Sequence, residues 1–483
     1  MAWGACHAGR PLPGLAVFAL VPLFLLLGSR RPAWWGWLHG VSTWCVAVWW
    51  IVPTITTYGR LDGWIGGLAL LLLASILALY DAAFAGLGAR LWRNGSPLAL
   101  AALPALWIAL EWGRGRILSG FPWNLAAHAW IELPGALPLA SWIGAFGVSG
   151  LVLLPSLGLA RAWVARRWEP AAIALLIPLF ALPLAARHAL PPDAETAPVS
   201  IAIVQPDTPN RPLFDPRANL EDYRRLLALS EPVCRPGRLL VWPESATWPR
   251  DWQDDPGLRS DVSALAAKGC SVLLNSPFEV GEDVFNSVLL VGGRDTPVPL
   301  QRADKRHLVP FGEYVPFRRA LPFLGKIART VGDFRAAEEI RLLEWRDERL
   351  GVAVCYEVVF PGEVAALVRA GATLLVTVTN DAWYGDTAAP RQHLRAARFR
   401  AAENRRWLLR AAVTGISAVV RPDGSVAARL GVGERGSMPV PVFGRDDRSP
   451  YSRAPWLVPL LALLGATAAC VGFRSRRRSG AGQ

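Results

Sequence analysis

The sequence predicts a multi-pass α-helical membrane bundle joined to one large layered α/β domain. Three observations predict it. Uncharged apolar runs crowd the first 190 residues and recur once near the end. Residues 190 to 454 carry 35 basic against 33 acidic side chains, and in that stretch short Val/Ile/Leu runs alternate with helical patterns. At 52% hydrophobic and 18% charged over 483 residues, the chain does not suit three soluble domains.

The apolar runs fall at about 11 to 29, 34 to 53, 64 to 80, 98 to 110, 136 to 159, 170 to 186 and 455 to 473, giving seven expected spans. Most reach the roughly 17 to 25 residues that cross a bilayer as a helix. The run at 98 to 110 is short and ends at Glu111. Trp34, Trp35, Trp37, Trp44, Trp49 and Trp50 crowd the second, where indole rings suit the headgroup level. Residues 113 to 130, with Phe121, Trp123 and Trp130, read equally as an interfacial arm or an aromatic belt.

Charge fixes the orientation. Of the net charge of +13, +11 sits outside residues 190 to 454, where 16 basic residues meet 5 acidic ones. A nucleic-acid binder would place it on the folded domain, so that class is excluded. Arg30, Arg31, Arg90, Arg93, Arg161, Arg166, Arg167, Arg474, Arg476, Arg477 and Arg478 fall on one side of the expected bilayer, against Arg60, Arg114 and Arg116 on the other. The eleven belong in the cytoplasm, which puts residues 190 to 454 outside it. The first run reads as an uncleaved anchor, since its positive pair follows the apolar stretch and no small-residue cleavage site is visible. The expected organisation is a bundle at 1 to 189, an extracytoplasmic domain at 190 to 454, a helix at 455 to 473 and a basic tail at 474 to 483.

In the outer domain, strands are expected at 200 to 204, 239 to 242, 271 to 274, 284 to 291, 349 to 355, 372 to 379 and 415 to 420, with helices near 216 to 230, 256 to 268, 361 to 370 and 388 to 405. Its three cysteines are an odd number. Cys234 and Cys270 could pair or both be buried thiols, and at least one thiol is free unless bridged to another chain.

Glu244, Lys305 and Cys355 stand at expected strand ends, where open α/β sheets build their sites. Each alone has an ordinary reading as a solvated Glu, a chance Lys or a buried thiol. Together they form a chemical set. Lys305 is one of three Lys among 48 Arg, which suggests that a compact ammonium is needed there. Cys355 lies at a strand–turn–helix junction that would expose a thiol and aim the Tyr356 N–H at an oxyanion. Glu244 would be the base that an un-ionised thiol needs for acyl transfer. No Cys/His pair has metal-ligand spacing, and no cofactor is expected.

The order Glu-Lys-Cys resembles the carbon-nitrogen hydrolase (nitrilase) superfamily, which implies an αββα sandwich. Pro-Glu at 243 to 244, Leu-Val-Pro-Phe-Gly-Glu-Tyr-Val-Pro at 308 to 316, Cys-Tyr-Glu at 355 to 357, Asn-Asp-Ala-Trp-Tyr-Gly at 380 to 385 and Gly-Phe-Pro-Trp-Asn-Leu at 120 to 125 resemble the apolipoprotein N-acyltransferase family more closely. The resemblance implies ping-pong transfer of an acyl chain from a membrane phospholipid, through a Cys355 thioester, to the N-terminal amine of a diacylglyceryl apolipoprotein. It implies Glu244 as base, Lys305 as oxyanion partner and a substrate pocket shaped by Glu313, Tyr356, Glu357, Phe214 and Trp383. It further implies a monomer in the bacterial inner membrane, with the catalytic domain on the periplasmic side. Family members commonly have eight spans, a Trp near Phe214 and an Asn at Val413. An anchored amidase using water as acceptor is the alternative, disfavoured because a tether needs one helix rather than six.

Overall fold

The computed structural model describes residues 1–9, 11–59, 61–166, 168, 197–209, 215–292, 300–316 and 333–479. The expected span at 170 to 186, Arg60, Arg167, Phe214 and Lys326 lie outside them. The chain divides into two compact units, Met1–Pro191 with Thr387–Phe399 and Ser449–Gln483, and Pro192–Asp386 with Arg400–Arg448.

The first unit is helical. Among the described residues, Gly63–Asn94 and Ala136–Ala165 are long and apolar enough to cross a membrane. Pro32–Ala47 and Ile51–Thr57 make a third span only if a pair bent by 61° counts as one. The bend follows from Pro53, which lacks an N–H and whose ring would collide with the carbonyl of Trp49 in a continuous helix. The other expected spans are shorter apolar helices, Pro13–Leu26 and Leu457–Gly472, and the helix Pro97–Arg114, which carries a buried Glu111–Arg114 ion pair at 3.7 Å.

Small residues let these helices approach. A Cβ on Gly36 would lie 2.5 Å from the Ala85 Cβ, and one on Gly40 2.7 Å from the Ala78 Cβ, which is the close packing that helices in lipid favour. Trp34, Trp35 and Trp49 are exposed, whereas Trp44, Trp50, Trp123 and Trp130 are buried. Trp50 and Trp123 donate to Gln392 Oε1 at 2.9 and 2.7 Å, and Gln392 Nε2 donates to the carbonyls of His7 and Ala47 at 2.8 and 2.7 Å. Two of the three aromatics at 113 to 130, Trp123 and Trp130, are buried.

The second unit is built on two sheets of six strands among the described residues. The strands are β1 (Val199–Gln205), β2 (Leu239–Val241), β3 (Ser271–Val280), β4 (Asp283–Val291), β5 (Gln301–Asp304), β6 (Leu343–Trp345), β7 (Glu348–Val354), β8 (Leu374–Thr379), β9 (Leu408–Ala412), β10 (Ser417–Val420), β11 (Val426–Leu430) and β12 (Gly436–Val442). Their orders are β12-β1-β2-β3-β4-β5 and β11-β10-β9-β8-β7-β6. In the first, β1, β2 and β3 are parallel and their neighbours antiparallel; in the second, β7, β8 and β9 are.

Alternation along each strand divides the core. Ile201, Ile203, Leu239, Val241, Leu273 and Val288 face the second sheet's Val352, Val354, Val376 and Leu409. Ala202, Val204, Leu240, Trp242 and Val272 face away and pack on Tyr223, Leu226, Leu258 and Val262 of the helices Pro216–Ser230 and Pro256–Ala267. Strands buried on both faces need continuous apolar sequence, and that is why they were legible. Cys234 and Cys270 form a disulfide, and Cys355 is the cysteine outside a disulfide among this unit's described residues.

Candidate active site

The first sheet supplies charge. Strand β2 leaves the core through Trp242, whose Nε1 donates to Ser230 Oγ at 2.9 Å, and Pro243 then delivers Glu244 into a site where it is 7% exposed. Glu244 Oε1 accepts from Asn286 Nδ2 at 3.1 Å, and Oε2 from the Asn380 N–H at 2.9 Å. Asn286, on β4, also donates to Glu313 Oε1 at 2.8 Å, and its own Oδ1 accepts from Asn275 Nδ2 on β3 at 2.6 Å. Asn275 Oδ1 accepts from the Ser245 N–H at 2.9 Å, so one amide chain fixes the backbone beyond Glu244 and the carboxylate itself.

Lys305 continues β5 by one residue, its N–H donating to the Asn286 carbonyl at 2.9 Å. Its Nζ is 2.9 Å from Glu313 Oε1 and 3.7 Å from Glu244 Oε1, and the residue is 1% exposed. Burial alone would lower its pKa, but the Glu244 and Glu313 carboxylates outweigh it, so the ammonium is held charged. Ordering of both carboxylates by Asn286 keeps two acids beside one cation without collapse of the geometry.

The second sheet supplies the thiol. Strand β7 ends at Val354, and Cys355 opens a single turn, Cys355–Val359, with φ +53. A non-glycine residue held in the left-handed region is strained, and such a turn lifts a side chain over a sheet edge. Pro361 at the first turn of the helix Pro361–Arg369 completes the junction. Glu357 locks it: Oε2 accepts from the Val354 N–H at 2.6 Å, and Oε1 from the Arg306 and His307 N–H groups at 2.7 and 3.0 Å. One carboxylate thereby ties the cysteine turn to the segment holding Lys305. Burial, and then the Glu363 carboxylate, push Glu357 up to about 7 against Lys305 and the N–H donors.

Cys355 Sγ lies 3.2 Å from Thr379 Oγ1 at the end of β8, and the next residue, Asn380, binds Glu244. Thiol and carboxylate therefore contact neighbouring residues of one strand end. Burial, and then the Glu244 charge, raise the thiol pKa, with Lys305 and the Thr379 hydroxyl opposing. The sulfur lies in the field of the Glu244 carboxylate and the Lys305 ammonium, an arrangement able to pass a proton and stabilise a developing oxyanion.

Glu244, Lys305 and Cys355 thus converge from three strand ends. The remaining expected pocket residues are less uniform. Glu313 directs one oxygen to Lys305 and the other to the Val309 N–H at 2.8 Å, and Glu357 faces three backbone donors, so both hold the site's frame. The Tyr356 ring packs edge-on against Phe360 at 5.0 Å, while Trp383 is 47% exposed in the turn Asp381–Tyr384. Sequence reasoning missed Asn275, Asn286, Thr379 and the buried Asp381–Arg410 pair, 2.5 Å apart. Two asparagines within the apolar β3 and β4, and an arginine within Leu-Leu-Arg-Ala-Ala of β9, were the available signals.

Comparison with known proteins decides the family. Residues 1–158 match the apolipoprotein N-acyltransferase N-terminal domain, and residues 200–440 match the carbon-nitrogen hydrolase model. The apolipoprotein N-acyltransferase of Geobacter metallireducens is 37% identical over 86% of this chain and 83% of its own length. The chain belongs to the apolipoprotein N-acyltransferase family. The relative named so in Ralstonia nicotianae is 34% identical over 94% of this chain and 86% of its own. Among solved structures, XC1258 of Xanthomonas campestris, a CN-hydrolase superfamily protein, shares 21% identity with a TM-score of 0.39, covering 55% of this chain and 97% of that one. Family membership joins the two matched models in one chain, and the second unit carries the carbon-nitrogen hydrolase fold with its two sheets.

Proposed function

We propose that this protein transfers a fatty acyl chain from a membrane phospholipid to the N-terminal amine of diacylglyceryl-cysteine apolipoproteins, through a thioester on Cys355. Glu244 takes the thiol proton as sulfur attacks the ester carbonyl, and returns it to the departing lipid alkoxide. Lys305 and the Tyr356 N–H face the oxyanion, where one preorganised donor contributes roughly 3 to 4 kcal/mol. The incoming amine then attacks the thioester, which needs no ATP because the acyl–sulfur bond is already activated, and the sequence is ping-pong. Phe214, Tyr356 and Trp383 are assigned to the walls that receive the two substrates.

The observation that carries this reading is the convergence of a buried ammonium, 3.7 Å from Glu244, with a Cys355 whose neighbour Thr379 adjoins the Glu244-binding Asn380. The names of the relatives support lipid substrates over soluble amides. In this reading the chain is a multi-pass protein of the bacterial inner membrane with its α/β domain at 190 to 454 on the periplasmic side, as the expected spans and loop charges support. The Cys234–Cys270 disulfide supports that side, because such bonds persist in oxidising compartments. A single chain carries all three reacting groups, so a monomer suffices.

Acceptor chemistry tests the proposal. Purified protein loaded with a labelled acyl chain should pass it to a diacylglyceryl-cysteine peptide as an amide. Release of the label as free fatty acid whether or not the peptide is present, with ammonia liberated from simple amides, would instead make it a hydrolase.

A further inference from the structure

A buried polar chain runs from the nucleophile into the second sheet. Thr379, Asp381 and Arg410 are 0%, 1% and 0% exposed. Arg410 Nε donates to the Ile416 carbonyl at 3.1 Å, and its Nη2 to Asp381 Oδ2 at 2.5 Å. Asp381 Oδ1 is 2.9 Å from Thr379 Oγ1, which is 3.2 Å from Cys355 Sγ. The fold makes room for this chain: a Cβ on Gly415 would fall 2.4 Å from Asp381 Oδ2, so the carboxylate sits where only glycine can pass.

We propose that Thr379 is a further catalytic residue, whose hydroxyl turns its one proton between Asp381 and the Cys355 sulfur as that sulfur gains and loses negative charge, with Asp381 and Arg410 as positioning residues. The inference rests on the reading of Cys355 as the nucleophile.

Donor and acceptor capacity forces the alternation. Asp381, paired with an arginine that stays charged, can only accept. A hydroxyl has one proton and two lone pairs, so Thr379 cannot donate to Asp381 and to sulfur together. While sulfur is a thiol or thioester, the Thr379 proton goes to Asp381. Once Glu244 has removed the thiol proton, an anionic sulfur competes for the Thr379 proton and wins a charge-assisted bond. No proton leaves Thr379. In the first half-reaction the thiol proton passes to Glu244, the S–C bond forms, the ester C–O bond breaks and the proton goes to the alkoxide. In the second, the N–C bond forms, the C–S bond breaks and the amine proton passes through Glu244 to sulfur. The Thr379 bond forms when sulfur becomes anionic in each direction, so it aids both halves.

Alkylation of Cys355 by iodoacetamide across pH tests this without either substrate, read on the Cys355 peptide by mass because Cys6, Cys45 and Cys470 are also free. Thr379→Val, of similar shape, should move the alkylation midpoint up by about one pH unit, a tenfold loss of thiolate at fixed pH, while Thr379→Ser restores the wild-type profile. Acylation from phospholipid vesicles should fall roughly tenfold to a hundredfold in Thr379→Val and within about threefold in Thr379→Ser. Asp381→Asn should shift the midpoint the opposite way, since an uncharged side chain no longer holds the Thr379 proton. Coincident profiles for wild type, Val and Ser overturn the proposal. If Thr379→Val does not fold, Thr379→Ala read against Thr379→Ser makes the same decision. A shifted alkylation profile with no acyl adduct on wild type would leave the inference standing and sink the acyltransferase reading instead.

Discussion

The two sheets of the second unit are topological twins with different tasks. Each reads, from one edge, an antiparallel strand, three parallel strands and two more antiparallel ones, so β12 to β5 in the first matches β6 to β11 in the second. Strand β1 is the counterpart of β7. Where β7 gives way to Cys355, β1 ends in Gln205, fully buried. Gln205 Nε2 donates to the carbonyls of Gly415, Gly431 and Glu434 at 3.3, 2.8 and 2.7 Å, and Oε1 accepts from the Ser417 N–H at 3.1 Å. The same place in the fold is a structural clamp in one sheet and, in the other, a strained cysteine that is the proposed nucleophile. Topology provides strand ends near one another, and a few side chains decide whether an end holds the protein or carries chemistry.

The comparison breaks most severely at Lys305. Lys305→Met leaves Glu244 and Glu313 buried without their cation, which should cost about 3 to 5 kcal/mol of stability, measured by denaturant unfolding, together with all measurable acyl transfer. Glu244→Gln keeps the Asn286 contact but removes the base, so thioester formation should fall about 10² to 10⁴-fold with the melting temperature little changed. Gln205→Met sharpens the contrast from the other sheet. Four backbone groups lose their partner, destabilising the protein by roughly 1 to 3 kcal/mol, yet the pH profile of Cys355 alkylation should not move. A moved profile would show that the β1 end belongs to the site.

The smallest expected effect is a slope at Glu357. Its folded pKa, about 7, lies above the ordinary value of 4.5, so between those values the folded state binds more protons than the unfolded one. Stability from this group is therefore present below pH 4.5 and lost as pH rises toward 7. Glu357→Gln removes that dependence, and the stability difference, wild type minus variant, should decline with rising pH across this window. A difference that rises instead would mean the three N–H donors dominate and hold the carboxylate ionised.

Legibility in the sequence followed burial. Strands such as Val-Ser-Ile-Ala-Ile-Val-Gln and Leu-Leu-Val-Thr-Val-Thr announce themselves because both faces are covered. The strands β5, β6, β9, β11 and β12 were missed for identifiable reasons. Gln-Arg-Ala-Asp turns only Ala303 into the core. Gly-Ser-Met-Pro-Val-Pro-Val holds two prolines, which an edge strand tolerates and a sequence pattern penalises. Arg410 hid β9, because a buried arginine contradicts an apolar strand until its Asp381 partner is known. The strand-end positions of Glu244, Lys305 and Cys355 were readable from the apolar runs that precede them. The directions in which Glu313 and Glu357 point were not, since they depend on Lys305 and on backbone N–H groups brought close only by folding.

Acyl transfer as proposed requires the Cys355 sulfur to become esterified by lipid. Intact-mass measurement after exposure to phospholipid vesicles tests it most directly. A mass increase of one acyl chain, removed by hydroxylamine and absent in Cys355→Ala, is expected. An unchanged wild-type mass, or an adduct that persists in Cys355→Ala, would contradict it.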